Sequence, residues 1–144
     1  MSNAQGAKKH VLIICTGNSC RSQMAEGWWR HLAGDEWDVF SAGIAPVGVN
    51  PLAIQVMAES AVDISRQESQ SIDEFVDQPF DLVITVCSNA DRRCPRFPGS
   101  GRKEHWPIDD PAAASGTIDD MLPEFRRVRD EIAERIRAWL ASDA

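Results

Sequence analysis

The residues best suited to chemistry in this chain are four cysteines, Cys15, Cys20, Cys87 and Cys94. The first of them is followed six positions later by Arg21, with Gly17 and Asn18 in the polar stretch between the two. A cysteine thiolate is a strong nucleophile, and an arginine guanidinium matches two oxygens of an oxyanion. Together these residues predict a loop that binds a tetrahedral oxyanion and attacks it with sulfur.

The position of this loop, between an apolar run and a helical pattern, explains how it would bind an anion. A loop that leads into a helix can turn several backbone N–H groups inward at the positive end of the helix dipole. Gly17 and Asn18 tolerate the positive φ angles that such a loop needs. The same field favours the thiolate of Cys15, and Ser22 is placed to hydrogen-bond it. The predicted oxyanion-binding residues are Thr16, Gly17, Asn18, Ser19, Cys20, Arg21 and Ser22. An ordinary strand-to-helix turn with an incidental thiol is the alternative.

Apolar patterns around the loop predict the elements that hold it. Runs at 11–14, 37–41 and 81–87 are typical of buried strands, and 103–106 is typical of a last short strand. Helical spacing predicts a helix that ends at Gly34, one that begins at 50–51, a short one near 72–76 and a long one over 118–140. The polar stretch 88–101, with its Pro and Gly residues, predicts an irregular exposed segment.

The apolar positions within these helices predict which faces are buried. The first helix is expected to bury Met24, Trp28, His31 and Leu32. The second is expected to bury Ile54, Met57, Ala58 and Ala61. The last is expected to bury Leu122, Phe125, Val128, Ile132, Ile136 and Leu140.

Strands that alternate with helices predict an α/β fold of three layers, with a four-stranded parallel sheet and helices on both faces. A length of 144 residues fits one domain, which we place at 10–142. Residues 1–9 are expected to form a disordered tail, whose first four residues have the composition of a cloning remnant. Ligands of such sheets bind beyond the carboxyl ends of the strands. Cys15 and Cys87 both follow strands, so we expect them at the same edge.

Composition narrows the possible partners. The net charge of −7 argues against nucleic acid, which needs a basic face. No apolar run approaches the roughly 20 residues that span a bilayer, and no secretory signal is evident, so a cytoplasmic location and no membrane association are expected. Thiols stay reduced in that compartment, which disfavours structural disulfides. The cysteine spacings are wider than those of usual zinc-binding pairs, which argues against a zinc site. A monomer without a bound cofactor is expected.

The segment Cys15-Thr16-Gly17-Asn18-Ser19-Cys20-Arg21-Ser22-Gln23-Met24-Ala25-Glu26-Gly27 resembles the phosphate-binding loop of the low-molecular-weight protein tyrosine phosphatase superfamily. It is more narrowly similar to the loop of the thioredoxin-coupled arsenate reductases within that superfamily. The similarity continues through Ser41-Ala42-Gly43, Cys87, Cys94-Pro95, His105-Trp106, Asp109-Asp110-Pro111 and the stretch from Phe125 to Ile132. It therefore spans nearly the whole chain after residue 10.

The resemblance implies a low-molecular-weight phosphatase-like fold and the reduction of arsenate to arsenite. It implies thioredoxin as the external reductant, with phosphate and sulfate as competing oxyanions. It also implies that Asp110, directly before Pro111, is the general acid that protonates the leaving group. Asp109 is the second candidate for this role, whereas Cys20 has no necessary part in the chemistry.

Cys87 and Cys94 help to distinguish the two activities found in this superfamily, phosphoester hydrolysis and arsenate reduction. A phosphatase needs only Cys15, Arg21 and the acid, whereas arsenate reduction takes two electrons from thiols. The implied relay begins when Cys15 attacks arsenic and Cys87 then attacks Cys15. Cys94 finally attacks Cys87, which leaves a Cys87–Cys94 disulfide. Because Cys87 cannot meet both partners in one geometry, the segment after it is expected to move.

Two other functions stay open from the sequence. A low-molecular-weight phosphatase would use the same loop on phosphoesters. Against it, residue 112 is Ala where these phosphatases usually carry an aromatic residue, and the chain contains no Tyr to hold a phosphotyrosine ring. A non-catalytic oxyanion-binding or redox-sensing module would keep the loop without turnover.

A metal site is not expected. Asn18, Glu26 and Ser41 match positions that bind potassium in some relatives, but those relatives carry an Asp where this chain has Gln70. Loss of a carboxylate weakens a cation site.

Overall fold

The computed structural model describes residues 7–142, which are built around a parallel sheet. Its strands are β1 (Lys9–Cys15), β2 (Trp37–Gly43), β3 (Leu82–Thr85) and β4 (Arg102–His105). Their order is β2-β1-β3-β4, with every neighbouring pair parallel. The helices are α1 (Arg21–Ala33), α2 (Pro51–Glu59), α3 (Ser88–Arg93) and α4 (Ile118–Ser142). Short 3₁₀ helices occupy Ile72–Glu74 and Pro111–Ala113.

The sheet is covered on both faces because its central strand is apolar on both. Side chains alternate between faces along a strand. In β1, Val11 and Ile13 therefore pack with residues of α1, α2 and α4. Leu12 and Ile14 pack on the other side with the segment after the first 3₁₀ helix and with Ala90 of α3. The predicted three-layer architecture is confirmed.

The longest helix, α4, buries the face that its sequence predicts. Buried along it are Leu122, Phe125, Val128, Ile132 and Ile136, while Leu140 is only partly buried near the end. The spacing of three or four residues places these side chains on one stripe, which faces α1 and α2. No helix in this part of the chain is long and apolar enough to cross a membrane.

The predicted faces of α1 and α2 are partly wrong. His31 is exposed, whereas the neighbouring face carries Trp29, which is fully buried. α2 ends at Glu59, so Ala61 lies beyond it with a φ of 61°. Ala58 is exposed as well, and the side chains that α2 buries are Ala53, Val56 and Met57. Both patterns hold apolar residues on more than one face, so the spacing alone did not identify the buried one.

The largest error concerns the segment after β3, where residues predicted to be irregular form the helix α3. The sulfur of Cys87 accepts a hydrogen bond from the backbone N–H of Ala90 at 3.4 Å and caps the helix. Six residues are too few to show an apolar period, and Ala90 is their one buried member. Pro95 and Pro98 then prevent the helix from continuing.

The predicted tail requires a smaller correction. It included Lys9, which pairs with Trp37 as the first residue of β1. The residues of the proposed cloning remnant, Met1-Ser2-Asn3-Ala4, lie outside the described part of the chain.

Candidate active site

Cys15, the predicted nucleophile, is the last residue of β1 and is almost completely buried. Its Sγ lies 2.8 Å from Ser22 Oγ and accepts the backbone N–H of Asn18 at 3.1 Å. Both contacts fix the position of the sulfur at the base of the loop. The predicted contact between Ser22 and Cys15 is therefore present, and Asn18 adds a second one.

Asn18 connects the loop to its surroundings. Its φ of 46° is the positive angle predicted for it, whereas Gly17 does not have one. Its side-chain N–H₂ group donates to Ser22 Oγ at 2.8 Å and to Ser41 Oγ at 2.9 Å. Its side-chain oxygen accepts the backbone N–H of Gln70 at 2.7 Å. A fully buried amide with all of these contacts holds one orientation.

Gly43, at the end of β2, is needed where the strand passes the loop. A Cβ at this position would lie 2.8 Å from the carbonyl oxygen of Thr16 and 2.9 Å from the backbone nitrogen of Asn18. Sequence reasoning did not assign this glycine to the site. The only signal for it was its place in the Ser41-Ala42-Gly43 motif.

Arg21 is the first residue of α1, and its side chain is only 13% exposed. Its Nη1 donates to the carbonyl oxygen of Ile108 at 3.0 Å. Guanidinium carries five N–H donors, and this bond uses one of them. The contact orients Arg21 beside the loop and leaves donors for an oxyanion.

The structure separates the two candidates for the general acid. Asp110 Oδ2 lies 3.8 Å from Arg21 Nη2, and Asp110 Oδ1 accepts the backbone N–H of Ala112 at 3.0 Å. Asp109 instead pairs with Arg127 and has a side chain that is 80% exposed. Asp110 is therefore the carboxylate beside the loop.

Cys87 lies next to the loop, as the sheet topology predicts. Its Sγ is 3.4 Å from Thr16 Oγ1, and Thr16 directly follows Cys15. The side chain of Asn89 also donates to Thr16 Oγ1, at 2.9 Å. The hydroxyl of Thr16 thus joins the nucleophile loop to the start of α3.

Cys94 lies at the opposite end of α3, where it is the residue that follows the last helical turn. A helix rises about 1.5 Å per residue, so Cys87 and Cys94 have Cα atoms about 10 Å apart. A disulfide requires about 4.4–6.8 Å. All four cysteines are free thiols here. The structure therefore brings Cys87 to the loop but keeps Cys94 out of bonding range of Cys87.

The thiols of Cys20 and Cys94 are held in their neutral forms. Burial raises the pKa of Cys20 to about 12, against smaller lowering effects of Ser19 and Arg21. Burial also raises the pKa of Cys94, and the positive charge of Lys103 offsets part of this effect. Cys20 is therefore a packed thiol within the loop at neutral pH.

The raised pKa of Cys20 predicts that this residue lowers the stability of the folded protein at alkaline pH. In the folded protein the thiol stays protonated up to about pH 12, whereas in the unfolded chain it ionises near 8.5. The contribution of the neutral Cys20 thiol to the free energy of unfolding is therefore complete below about pH 8.5 and is lost as the pH rises towards 12. Cys20→Ala should remove about 1–2 kcal/mol of the decline in unfolding free energy between pH 9 and 10.5. Urea melts of both proteins at these pH values measure it, and equal declines would contradict it.

The residues that match the potassium ligands of some relatives are already paired within the protein. Glu26 accepts hydrogen bonds from Ser41 and Arg30 at its two carboxylate oxygens. Gln70 meets Asn18 through its backbone N–H rather than through an acidic side chain. Among residues 7–142 no three or more His, Cys, Asp or Glu side chains gather to hold a metal ion. The arrangement does not fit a potassium site, because Arg30 already balances the charge of Glu26.

The fold and the loop define a class of protein that sequence comparison identifies. Residues 10–143 match the family described as low molecular weight phosphotyrosine protein phosphatase, and the chain belongs to that family. Within it, the similarity is to arsenate reductases. A protein of that name from Halalkalibacterium halodurans is 52% identical over 132 residues, which cover 92% of this chain and 95% of the relative.

Solved structures give the same result. An arsenate reductase in a phosphate-binding state superposes with a TM-score of 0.76 at 34% identity, covering 94% of this chain and 99% of the other. A thioredoxin-dependent arsenate reductase from Corynebacterium glutamicum superposes with a TM-score of 0.74 at 29% identity. That match covers 95% of this chain and 62% of the other. The family resemblance predicted from the motifs is confirmed.

Proposed function

We propose that this protein reduces arsenate to arsenite with the thiols of Cys15, Cys87 and Cys94. The observation that carries the proposal is the position of Cys87, with its sulfur 3.4 Å from the hydroxyl of Thr16 at the edge of the nucleophile loop. Phosphoester hydrolysis has no use for this second thiol, whereas the reduction of arsenic needs one. The similarity to arsenate reductases supports the same reaction.

The first step is the attack of the Cys15 thiolate on arsenic. Arg21 and the backbone N–H groups of the loop bind the oxyanion. Asp110, beside Arg21, donates a proton to the departing oxygen, which leaves as water. The product is a sulfur–arsenic(V) adduct on Cys15.

The next step transfers the electrons. The thiolate of Cys87 attacks the sulfur of Cys15, and the electron pair of the sulfur–arsenic bond passes to arsenic. Arsenic(V) becomes arsenic(III) and leaves as arsenite, while the two sulfurs form a disulfide. Cys94 then loses its proton to water, and its thiolate attacks Cys87. This step frees the Cys15 thiolate for another cycle and leaves a Cys87–Cys94 disulfide.

The second exchange requires α3 to unwind. The helix holds Cys87 and Cys94 about 10 Å apart at their Cα atoms, too far for a disulfide. The segment is short and Ala90 is its one buried residue, so opening it disrupts few buried contacts. We infer that α3 is ordered while these thiols are reduced and opens as they are oxidised.

The final disulfide must be reduced by an external dithiol, and thioredoxin is the reductant we propose. The thioredoxin-dependent relative supports this choice. A cycle that starts and ends with free thiols suits the reducing cytoplasm, which is the proposed location.

Phosphoester hydrolysis is the second candidate, and the position of Asp110 favours it as a side activity. Attack by Cys15 and protonation by Asp110 are also sufficient for phosphoryl transfer. Arsenate and phosphate are both tetrahedral, so one loop can bind either. The chain has no Tyr and carries Ala112 after Pro111, which argues against a pocket built for a phosphotyrosine ring.

The deciding experiment measures arsenite formation with thioredoxin, thioredoxin reductase and NADPH present, and again with each omitted. We expect repeated turnover only with the complete system and no more than one arsenite per protein without it. Hydrolysis of an aryl phosphate is measured in parallel. Phosphate release without arsenite formation would leave the phosphatase as the function.

The proposed opening of α3 predicts an effect of Asp91, which lies in this helix. Its carboxylate accepts Thr85 Oγ1 at 3.0 Å and pairs with Lys103 at 3.2 Å. Lys103 and Thr85 hold the pKa of Asp91 below its usual range, so the anchor persists at neutral pH and is lost only in acid. Asp91→Asn should weaken the ordered dithiol form and shift the Cys87–Cys94 equilibrium towards the disulfide by about two- to fivefold.

Equilibration in dithiothreitol redox buffers, followed by peptide mapping, measures this shift. Asp119→Asn is the control, because it removes one exposed carboxylate from the start of α4. Equal equilibria in the two variants would show that the anchor of α3 does not oppose oxidation.

A further inference from the structure

Arg30, in the last turn of α1, lies outside the loop but is linked to it. Its guanidinium donates to Glu26 Oε2 at 2.8 Å, to the carbonyl oxygen of Val39 at 2.9 Å and to Gln67 Oε1 at 3.2 Å. The planar fork of arginine is suited to holding several acceptors at once. Two of these acceptors begin hydrogen-bonded routes that end at Asn18.

The first route passes through a carboxylate and a hydroxyl. Glu26 Oε1 accepts the hydroxyl of Ser41 at 2.5 Å. Ser41 Oγ in turn accepts the side-chain amide of Asn18 at 2.9 Å. Ser41 and Asn18 are fully buried, and the side chain of Glu26 is only 12% exposed. In such surroundings a charged anchor orients each following dipole strongly.

The second route passes through two amides. Gln67 Nε2 donates to Gln23 Oε1 at 2.8 Å and to the carbonyl oxygen of Gln23 at 3.0 Å. Gln23 Nε2 donates to the carbonyl oxygen of Asn18 at 3.1 Å. One guanidinium therefore reaches both the side chain and the main chain of Asn18.

Asn18 makes or supports both hydrogen bonds on the sulfur of Cys15. Its backbone N–H reaches the sulfur directly, and its side chain holds the hydroxyl of Ser22 that lies 2.8 Å from it. Its φ of 46° lies in the left-handed region, which asparagine tolerates better than most residues but adopts mainly where nearby hydrogen bonds stabilise it.

We propose that Arg30 is a positioning residue for Cys15. Its guanidinium holds Asn18 in the left-handed conformation through both routes and thereby maintains the hydrogen bonds that favour the thiolate. The inference rests on the proposed role of Cys15 as the nucleophile, and it applies to reductase and phosphatase chemistry alike.

Arg30 also balances the charge of Glu26 without a metal ion. A buried carboxylate beside the loop needs a positive partner. The guanidinium of Arg30 supplies this partner, so Glu26 does not need a bound monovalent cation. We therefore expect the activity to be equal in potassium and sodium salts of the same ionic strength.

The test compares Arg30→Gln and Arg30→Lys with the parent. The rate of Cys15 alkylation by iodoacetamide is followed by peptide mapping from pH 5 to 10. In Arg30→Gln the reactivity of Cys15 should rise at a higher pH than in the parent, and arsenate kcat/KM should fall about tenfold. Arg30→Lys keeps the charge but not the fork, so it should lie between the two.

Arg126→Gln is the matched control. Arg126 pairs with Glu59 at 2.9 Å and is 43% exposed, against 49% for Arg30, and it has no link to the loop in the described contacts. Its alkylation profile should follow that of the parent. Thermal melts of all variants separate loss of stability from loss of positioning.

Three results would overturn the proposal. One is an Arg30→Gln profile equal to that of Arg126→Gln, whatever the melting temperature does. Another is a potassium-specific stimulation of the parent. The third is an equal effect of Lys and Gln at position 30. Alkylation is measured without arsenate, so a failure here is distinguishable from a failure to reduce arsenate.

Discussion

Cys15→Ser should abolish arsenate reduction and any phosphatase activity, with a loss of at least about a thousandfold in kcat. The reason is chemical, since a serine hydroxyl in this loop is a far weaker nucleophile than a thiolate at neutral pH. Ser22 and the N–H of Asn18 can still hydrogen-bond the new oxygen, so the loop should keep its shape. Single-turnover assays of arsenite and of aryl phosphate hydrolysis measure the loss.

Binding of an oxyanion is the control for this variant. Phosphate or sulfate should raise the melting temperature of Cys15→Ser about as much as that of the parent, because ligand binding to the folded state stabilises it. Residual turnover above a few per cent, with binding intact, would mean that another residue is the nucleophile. Loss of both binding and activity would point to a collapsed loop, and Cys15→Ala would then repeat the test.

Cys87→Ser and Cys94→Ser should stop the relay at two different points when arsenate is added without reductant. Cys94→Ser should release one arsenite per protein and retain a Cys15–Cys87 disulfide. Cys87→Ser should release none and carry arsenic on Cys15. The steps differ because arsenic accepts its electron pair only when Cys87 attacks the adduct. Mass spectrometry of the intact protein and peptide mapping of the disulfides identify the two species.

The phosphatase side activity is the internal control for both variants. Phosphoryl transfer changes no oxidation state, so it should survive either substitution. Thiol titration adds a count, since Cys94→Ser has three thiols and should keep only that of Cys20 free after one turnover. If both variants cycle with thioredoxin at the rate of the parent, the proposed relay is wrong.

The position of the loop between β1 and α1 could be predicted from the sequence because the residues on both sides of it have strong apolar patterns. β1 is apolar on both faces, which predicts a central strand, and α1 begins where the loop ends. The carboxyl ends of parallel strands share one edge of a sheet. These facts predicted that Cys15 and Cys87 would lie at the same edge of the sheet, without any knowledge of side-chain contacts.

What the sequence did not indicate depends on contacts between distant residues. α3 is stabilised by a sulfur cap and by the pairing of Asp91 with Lys103, and neither leaves a periodic pattern. The route through Gln67 and Gln23 joins amides 44 positions apart. Exposed-looking polar residues carry no periodic signal that reveals such a pairing.

The sulfur of Cys87 has two tasks that exclude each other in time. As an acceptor it caps α3, and as the nucleophile of the proposed relay it would have to leave the cap to bond with another sulfur. The proposed relay would thus remove one of the contacts that stabilise α3, so the oxidised protein would present a different surface from the reduced one. A reductant that docks on an extended segment can then distinguish the two forms by shape before any electron moves. The reduced protein would not compete for the reductant, so the reductant would bind mainly to the oxidised protein.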